Sequence, residues 1–219
     1  MDGIIQIAGV IDEADAMMLV DAGVNQIGFP IGVPVHEEDM GVKDAARIIR
    51  LLKPPAAAVL ITYLDRAEDI LDLRRRTGVG KVQLHGRISL PEVFRLKKLA
   101  PDTPLIKSLI VGEGSAEELE TILFEFGPHV DAFITDTYDP ATGACGATGK
   151  THDWDISRRL VSISSRPVLL AGGLTPDNVA EAIRVTGAAV VDVSSGVESR
   201  PGEKDPELIR RFLKAAKDV

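Results

Sequence analysis

One pattern repeats along the whole chain and restricts its fold more than any other feature. A short β-branched apolar run is followed by a polar loop and then by a segment whose apolar residues recur at helical spacing. The runs are Ile4–Ala8, Gln26–Phe29, Ala57–Thr62, Lys81–His85, Leu105–Ser108, Ala132–Asp136, Val168–Ala171 and Ala189–Val193. The amphipathic segments are Glu13–Ala22, Val42–Leu52, Arg66–Arg76, Leu90–Leu99, Ala116–Glu125, Trp154–Ile163, Pro176–Val185 and Pro206–Lys217. The runs are continuous rather than alternating, as in strands covered on both faces of a parallel sheet. Helix starts carry cap signals. Ser115 precedes an acidic first turn, and Thr175-Pro176 predicts a capping hydroxyl with proline at the first helical position.

Eight such units in 219 residues are about 27 residues each. They can close as a (β/α)8 TIM barrel or spread as an open doubly wound sheet. The count favours the barrel. So does the first turn, Ala8-Gly9-Val10-Ile11-Asp12, which lacks a Gly-x-Gly-x-x-Gly phosphate loop. Polar and glycine-rich motifs also gather after the sixth, seventh and eighth runs. In barrels that rim carries the chemistry, and the last two loops often hold a phosphate. No Ser/Gly-rich linker divides the chain, so one domain over residues 1–219 is expected.

Composition narrows the function. Twenty-five Lys+Arg against 33 Asp+Glu give a net charge of -8, which argues against a nucleic-acid backbone binder. With 4% aromatics, base-stacking platforms are not expected either. No apolar run approaches the ~18 residues of a membrane span, and the N-terminus does not read as a signal peptide. The single cysteine, Cys145, excludes an internal disulfide and fits a reducing cytoplasm. The expected partner is a small phosphorylated molecule, with the chain acting as a monomer or homodimer.

Candidate site residues cluster in the late loops. Ala171-Gly172-Gly173-Leu174-Thr175 ends a run with two glycines, whose backbone can approach a ligand and present N–H groups to an anion. Asp192-Val193-Ser194-Ser195-Gly196-Val197 follows the eighth run, where two hydroxyls and a glycine can open a short extra helix facing the same point. Each motif alone also fits an ordinary turn. Together, Gly172, Gly173, Ser194, Ser195 and Gly196 predict a phosphate site, with Asp192 beside it. Asp136 ends the sixth run. Its carboxylate either acts as a general acid or base with a pKa raised by burial, or caps its own loop. The loop Thr137–Thr151, with Gly143, Gly146 and Gly149, can fold over a ligand. His85 either meets substrate or bonds a neighbouring loop. Gly149-Lys150-Thr151 echoes a Walker A ending out of register, so no nucleotide is expected. Cys145 lacks flanking signs of an activated thiol. The consecutive His36, Glu37, Glu38 and Asp39 read as solvated rather than as metal ligands, and neither metal nor cofactor is expected.

Six segments carry a resemblance. They are Val82-Gln83-Leu84-His85-Gly86, Thr135-Asp136-Thr137, Gly149-Lys150-Thr151-His152-Asp153-Trp154, Leu170-Ala171-Gly172-Gly173-Leu174, Asp177-Asn178-Val179 and Val191-Asp192-Val193-Ser194-Ser195-Gly196-Val197-Glu198. Over nearly the full chain they resemble the phosphoribosylanthranilate isomerase family of tryptophan biosynthesis. The resemblance implies an Amadori rearrangement, in which an aminoaldose phosphate becomes an aminodeoxyketose phosphate. It implies that Asp136 protonates the furanose oxygen, that Gly172, Gly173, Ser194 and Ser195 hold phosphate, and that His85, Asp192 and Gly149 line the substrate. No cofactor is implied.

Two family features are missing. The family's Lys-x-Cys-Gly at the end of the first strand, whose cysteine is the base, is here Gln6-Ile7-Ala8-Gly9. The arginine expected after the second strand is absent from Val33-Pro34-Val35-His36-Glu37-Glu38-Asp39-Met40. Acidic side chains there would repel an anthranilate carboxylate. The sequence therefore predicts a sugar-phosphate isomerase weak or inactive on phosphoribosylanthranilate itself. Two alternatives remain open: a paralogue using Asp136 on another phosphorylated sugar or amine, and a non-catalytic binder of a phosphometabolite.

Overall fold

The eight predicted strands close on themselves in the computed structural model, which describes residues 4–31, 40–146 and 148–219. They are β1 (Ile4–Ala8), β2 (Gln26–Pro30), β3 (Ala57–Thr62), β4 (Lys81–Leu84), β5 (Leu105–Val111), β6 (Ala132–Asp139), β8 (Val168–Leu170) and β9 (Val190–Val193). Each pairs in parallel with the next, β6 with β8, and β9 with β1, so these eight strands close into a ring. The helices α1 (Glu13–Asp21), α2 (Val42–Ile49), α3 (Ala67–Thr77), α4 (Leu90–Leu99), α5 (Ala116–Phe126), α6 (Trp154–Ile163), α7 (Val179–Thr186) and α8 (Pro206–Lys217) alternate with them. This is the expected TIM barrel in one domain.

Side chains sort by the period of two along each strand. Ile5 and Ile7, Leu84, Phe133, Val191 and Val193 pack outward into the core beneath the helices. Val59, Ile106, Ile134, Leu169, Ala171 and Val190 form a separate apolar plug inside the barrel. Above that plug, toward the C-terminal rim, the inward positions turn polar. The register sets Gln6 beside both Gln26 and Asp192. It also aligns Ile134, Leu169 and Val190, so two residues further on Asp136, Ala171 and Asp192 share one row.

Three local expectations need correction. The helix expected from Pro176 starts at Val179 instead. Asn178 reaches back, accepting from the Thr175 amide at 2.7 Å and donating to the Gly173 carbonyl at 3.0 Å, which winds residues 175–178 into a turn. The Thr175 hydroxyl serves that turn, accepting from the Asp177 amide at 3.3 Å. The polar loop after the sixth strand is not irregular throughout. β6 runs on to Asp139 and pairs back with β7 (Ala144–Cys145) as a hairpin. The extra helix after the eighth strand is a single 3₁₀ turn, Ser195–Val197, followed by a hairpin of β10 (Glu198–Arg200) and β11 (Glu203–Lys204). Ser115 does cap α5, in a reciprocal capping box with Glu118.

Candidate active site

The rim residues stand where strands end. Asp136 points inward near the top of β6, half-buried, with Gly146 passing over its carboxyl. Burial raises its pKa, opposed by the charge of His85 and by the Thr137 amide, which donates to Oδ1 at 2.8 Å. Both sequence readings of this carboxylate therefore hold in part: it caps its own loop and it is held toward the neutral acid. Asp192, 7% exposed, stands in the same row, separated from Asp136 only by the small Ala171. Strands lie about 4.8 Å apart, so these two backbones are about 10 Å apart across the barrel wall. Burial and then the Asp136 charge push the Asp192 pKa up to about 7, against the Gln6 amide and Lys204.

Below the rim lies a layer the sequence reading did not single out. Gln6 donates through Nε2 to Gln83 Oε1 at 2.8 Å, spanning the barrel from β1 to β4. Among the described residues, Gln6 Oε1, Gln26 Oε1 and Asp192 Oδ1 are buried acceptors with no hydrogen-bond partner. Buried polar groups are ordinarily paired, and an unpaired one costs about 1–3 kcal/mol. Three on neighbouring strands β9, β1 and β2 mark a place built for donors from outside the chain.

The hairpin loop covers this row. His85 Nε2 lies 2.9 Å from the Cys145 carbonyl, and the Tyr63 hydroxyl donates to the same oxygen at 3.0 Å. A carbonyl only accepts, so Nε2 carries the hydrogen in that contact. His85 Nδ1 meets the Ser108 hydroxyl at 2.9 Å, leaving no ring nitrogen free. Gly146 then passes directly over Asp136: a carbon added to it would lie 2.5 Å from Oδ2 and 2.8 Å from His85 Nε2. Of the two roles open to His85, the structure displays the loop bond. The Cys145 thiol has its pKa raised, first by burial and then by Glu113, so it is held protonated.

Three loops meet beside the row. A carbon on Gly173 would collide with the Lys150–Thr151 backbone, one on Gly196 with the Leu174 carbonyl, and one on Gly149 would touch Ser195 Oγ at 3.8 Å. The structure thus brings Gly149, Gly172, Gly173, Ser194, Ser195 and Gly196 together. Behind Ser194, the fully buried Lys204 ammonium pairs with Glu198 at 2.6 Å and donates to the Ser194 carbonyl at 3.3 Å. His152 bridges the Thr137 hydroxyl at 3.0 Å and the Ser157 hydroxyl at 2.6 Å. Burial lowers its pKa to about 4. Lys150 pairs with Asp139 at 2.8 Å. His36, Glu37, Glu38 and Asp39 lie outside the described residues.

Known proteins share the sequence pattern and the fold. Residues 5–215 match the family model for N-(5′-phosphoribosyl)anthranilate (PRA) isomerase. The chain is 40% identical to N-(5′-phosphoribosyl)anthranilate isomerase 2 of Methanosarcina mazei, over 98% of this chain and 94% of that one. It is 36% identical to the enzyme of that name from Haloferax volcanii, over 97% and 92% respectively. The crystal structure of phosphoribosyl anthranilate isomerase from Thermotoga maritima superposes with a TM-score of 0.84 at 31% identity, covering 99% of this chain and all of that one. A phosphoribosyl anthranilate isomerase in complex with reduced 1-(o-carboxyphenylamino)-1-deoxyribulose 5-phosphate superposes at 0.82 with 28% identity and the same coverage.

Proposed function

Because the chain belongs to the N-(5′-phosphoribosyl)anthranilate isomerase family, we propose that it performs that family's rearrangement, in the cytoplasm, on phosphoribosylanthranilate. The observation that carries this reading is the half-buried Asp136 carboxyl, covered by Gly146, beside the meeting point of three glycine- and serine-bearing loops. Backbone amides of Gly172, Gly173, Ser194, Ser195 and Gly196 would hold the phosphate, with Gly149 closing over it. The Asp136 carboxyl, its pKa raised by burial, would donate its proton to the furanose oxygen. The C1–O bond then breaks and the amine nitrogen supplies electrons to form the Schiff base. His85 serves this step by holding the covering loop, and water is kept out while charge develops.

Removal of the C2 proton completes the rearrangement. Ala8 cannot accept it, and losing a general base typically costs a factor of about 10²–10⁴ in rate. Turnover of phosphoribosylanthranilate by the purified protein, together with growth of an isomerase-deficient strain without tryptophan, tests the reading. Binding of the product analogue without turnover at any pH would overturn it in favour of a phosphometabolite binder.

A further inference from the structure

We propose that Asp192 is the base that takes the C2 proton in this chain, in place of the thiol absent at position 8. The assignment rests on the isomerase reading above. Its first support is position. Val191 and Val193 pack into the outer core, so Asp192 faces the lumen by the alternation of β9. The register sets it in one row with Asp136, with only Ala171 between them. A carboxyl pair thus spans a gap lined by the smallest chiral side chain. Ser194, at the proposed anion-binding rim, follows immediately where β9 ends at Val193, two residues beyond Asp192. Two residues of chain span at most about 7 Å, comparable with the reach of a pentose chain from phosphate to C2.

The second support is the free oxygen. Asp192 Oδ1 is buried and unpartnered, as are the Oε1 atoms of its row neighbours Gln6 and Gln26. A buried acceptor is left bare only at a cost, which a substrate proton donor removes. The third is elimination among the described residues of the rim. Both ring nitrogens of His85 are engaged by Ser108 and Cys145. Asp136 supplies the acid. The Cys145 thiol is held protonated and its carbonyl is tied to Tyr63. Lys107 is turned away from the lumen, donating to the Gly86 carbonyl at 3.0 Å.

The charges facing Asp192 divide the labour. Asp136 from β6 raises it, while Gln6 from β1 and Lys204 from β11 favour its ionised form. Burial raises both carboxyls, and two that repel each other do not both ionise freely. Gln6 and Lys204 face Asp192 and favour its ionised form, which assigns the proton to Asp136 and the base to Asp192. Asp192, near 7, is ionised for part of the population at neutral pH, which suits a base. In the step itself, an Asp192 oxygen forms a bond to the C2 hydrogen. The C2–H electron pair becomes the C1–C2 double bond, and the iminium electrons return to nitrogen. The resulting enolamine loses its hydroxyl proton and gains one at C1 to give the ketone, so no oxidant or reductant is required.

The test uses the full chain. Wild-type protein should turn over phosphoribosylanthranilate with an acidic limb in kcat near pH 7. Asp192→Asn should lower kcat by about 10²–10⁴-fold, abolish that limb and leave KM within about threefold. Its affinity for the reduced product analogue, measured by calorimetry, should be retained, which reports a folded site. Adding Ala8→Cys to that variant should recover at least about tenfold of the loss. An Asp192→Asn variant with wild-type kcat and an unchanged acidic limb overturns the assignment and leaves the isomerase reading standing. Parallel loss of kcat and analogue affinity makes Asp192 a binding residue and also overturns it. Absence of turnover by the wild type overturns the isomerase reading, and the assignment falls with it.

Discussion

Gly146 lies so close over Asp136 that a side-chain carbon there would stand 2.5 Å from the carboxylate. Its φ of +81° is in the left-handed region, which L side chains seldom adopt. Gly146→Ala therefore faces both strain and collision. The loop should lift, Asp136 should regain water, and its pKa should fall toward that of an ordinary carboxylate. The expected result is at least a tenfold drop in kcat, with the alkaline limb of the pH profile moved to lower pH. Wild-type kinetics would contradict the close covering of the acid.

The Cys145 carbonyl is held twice, by His85 and Tyr63. Tyr63→Phe removes one of these bonds, worth about 1 kcal/mol. Amide hydrogen exchange at Gly146, which donates to the Thr137 carbonyl at 2.9 Å, should quicken by roughly fivefold. Exchange near the barrel floor should not change.

A side chain at Gly173 meets the Lys150–Thr151 backbone, so Gly173→Ala must push two rim loops apart. Inhibition by inorganic phosphate should weaken by about tenfold or more, equivalent to 1.4 kcal/mol. If Gly173→Ala binds phosphate as wild type does, the anion lies elsewhere.

His152 titrates near 4 in the fold, below its ordinary value of 6.5, because burial opposes its charge. The unfolded chain therefore takes up the proton first. The stability that the neutral ring contributes is present above about pH 6.5 and is lost as pH falls toward 4. The loss is on the order of 3 kcal/mol. Urea unfolding across this range should show that slope, and His152→Asn should flatten it.

Lys204 is entirely buried and paired with Glu198, which is 13% exposed. Lys204→Met leaves a nearly buried carboxylate alone. The expected destabilisation is about 3–5 kcal/mol, and phosphate affinity should also fall because the Ser194 carbonyl loses its donor.

Much of this was legible before the fold was seen, because the relevant signals are local. Strand and helix identity followed from the change in apolar period, and the rim loops from their glycines and serines. Asp136 stood out as a carboxylate at the end of an apolar run. What escaped depends on register and on reach. Gln6 and Gln83 interrupt apolar strands at inward positions, a visible sign of a polar lumen. That they bond each other depends on how β1 and β4 stand across the barrel. The row of Asp136, Ala171 and Asp192 spans more than 50 residues of sequence and exists only once β8 is paired on both sides. The hairpin at Cys145 was hidden because two residues are too few to show a period. The start of α7 was misplaced because Asn178, not the Thr-Pro pair, bonds back across the turn. The expectation of weak turnover rests on Ala8 and on the arginine missing from residues 33–40, and it counts only the groups that are lost.

The loop tied down by His85 and Tyr63 is also the loop whose Lys150–Thr151 backbone abuts Gly173. Opening the mouth over Asp136 therefore disturbs the anion loops in the same movement. The two ends of a bound sugar phosphate would then be admitted and released as one event. Solvent viscosity should slow both the entry of substrate, read in kcat/KM, and the off-rate of product, since each requires the same loops to part.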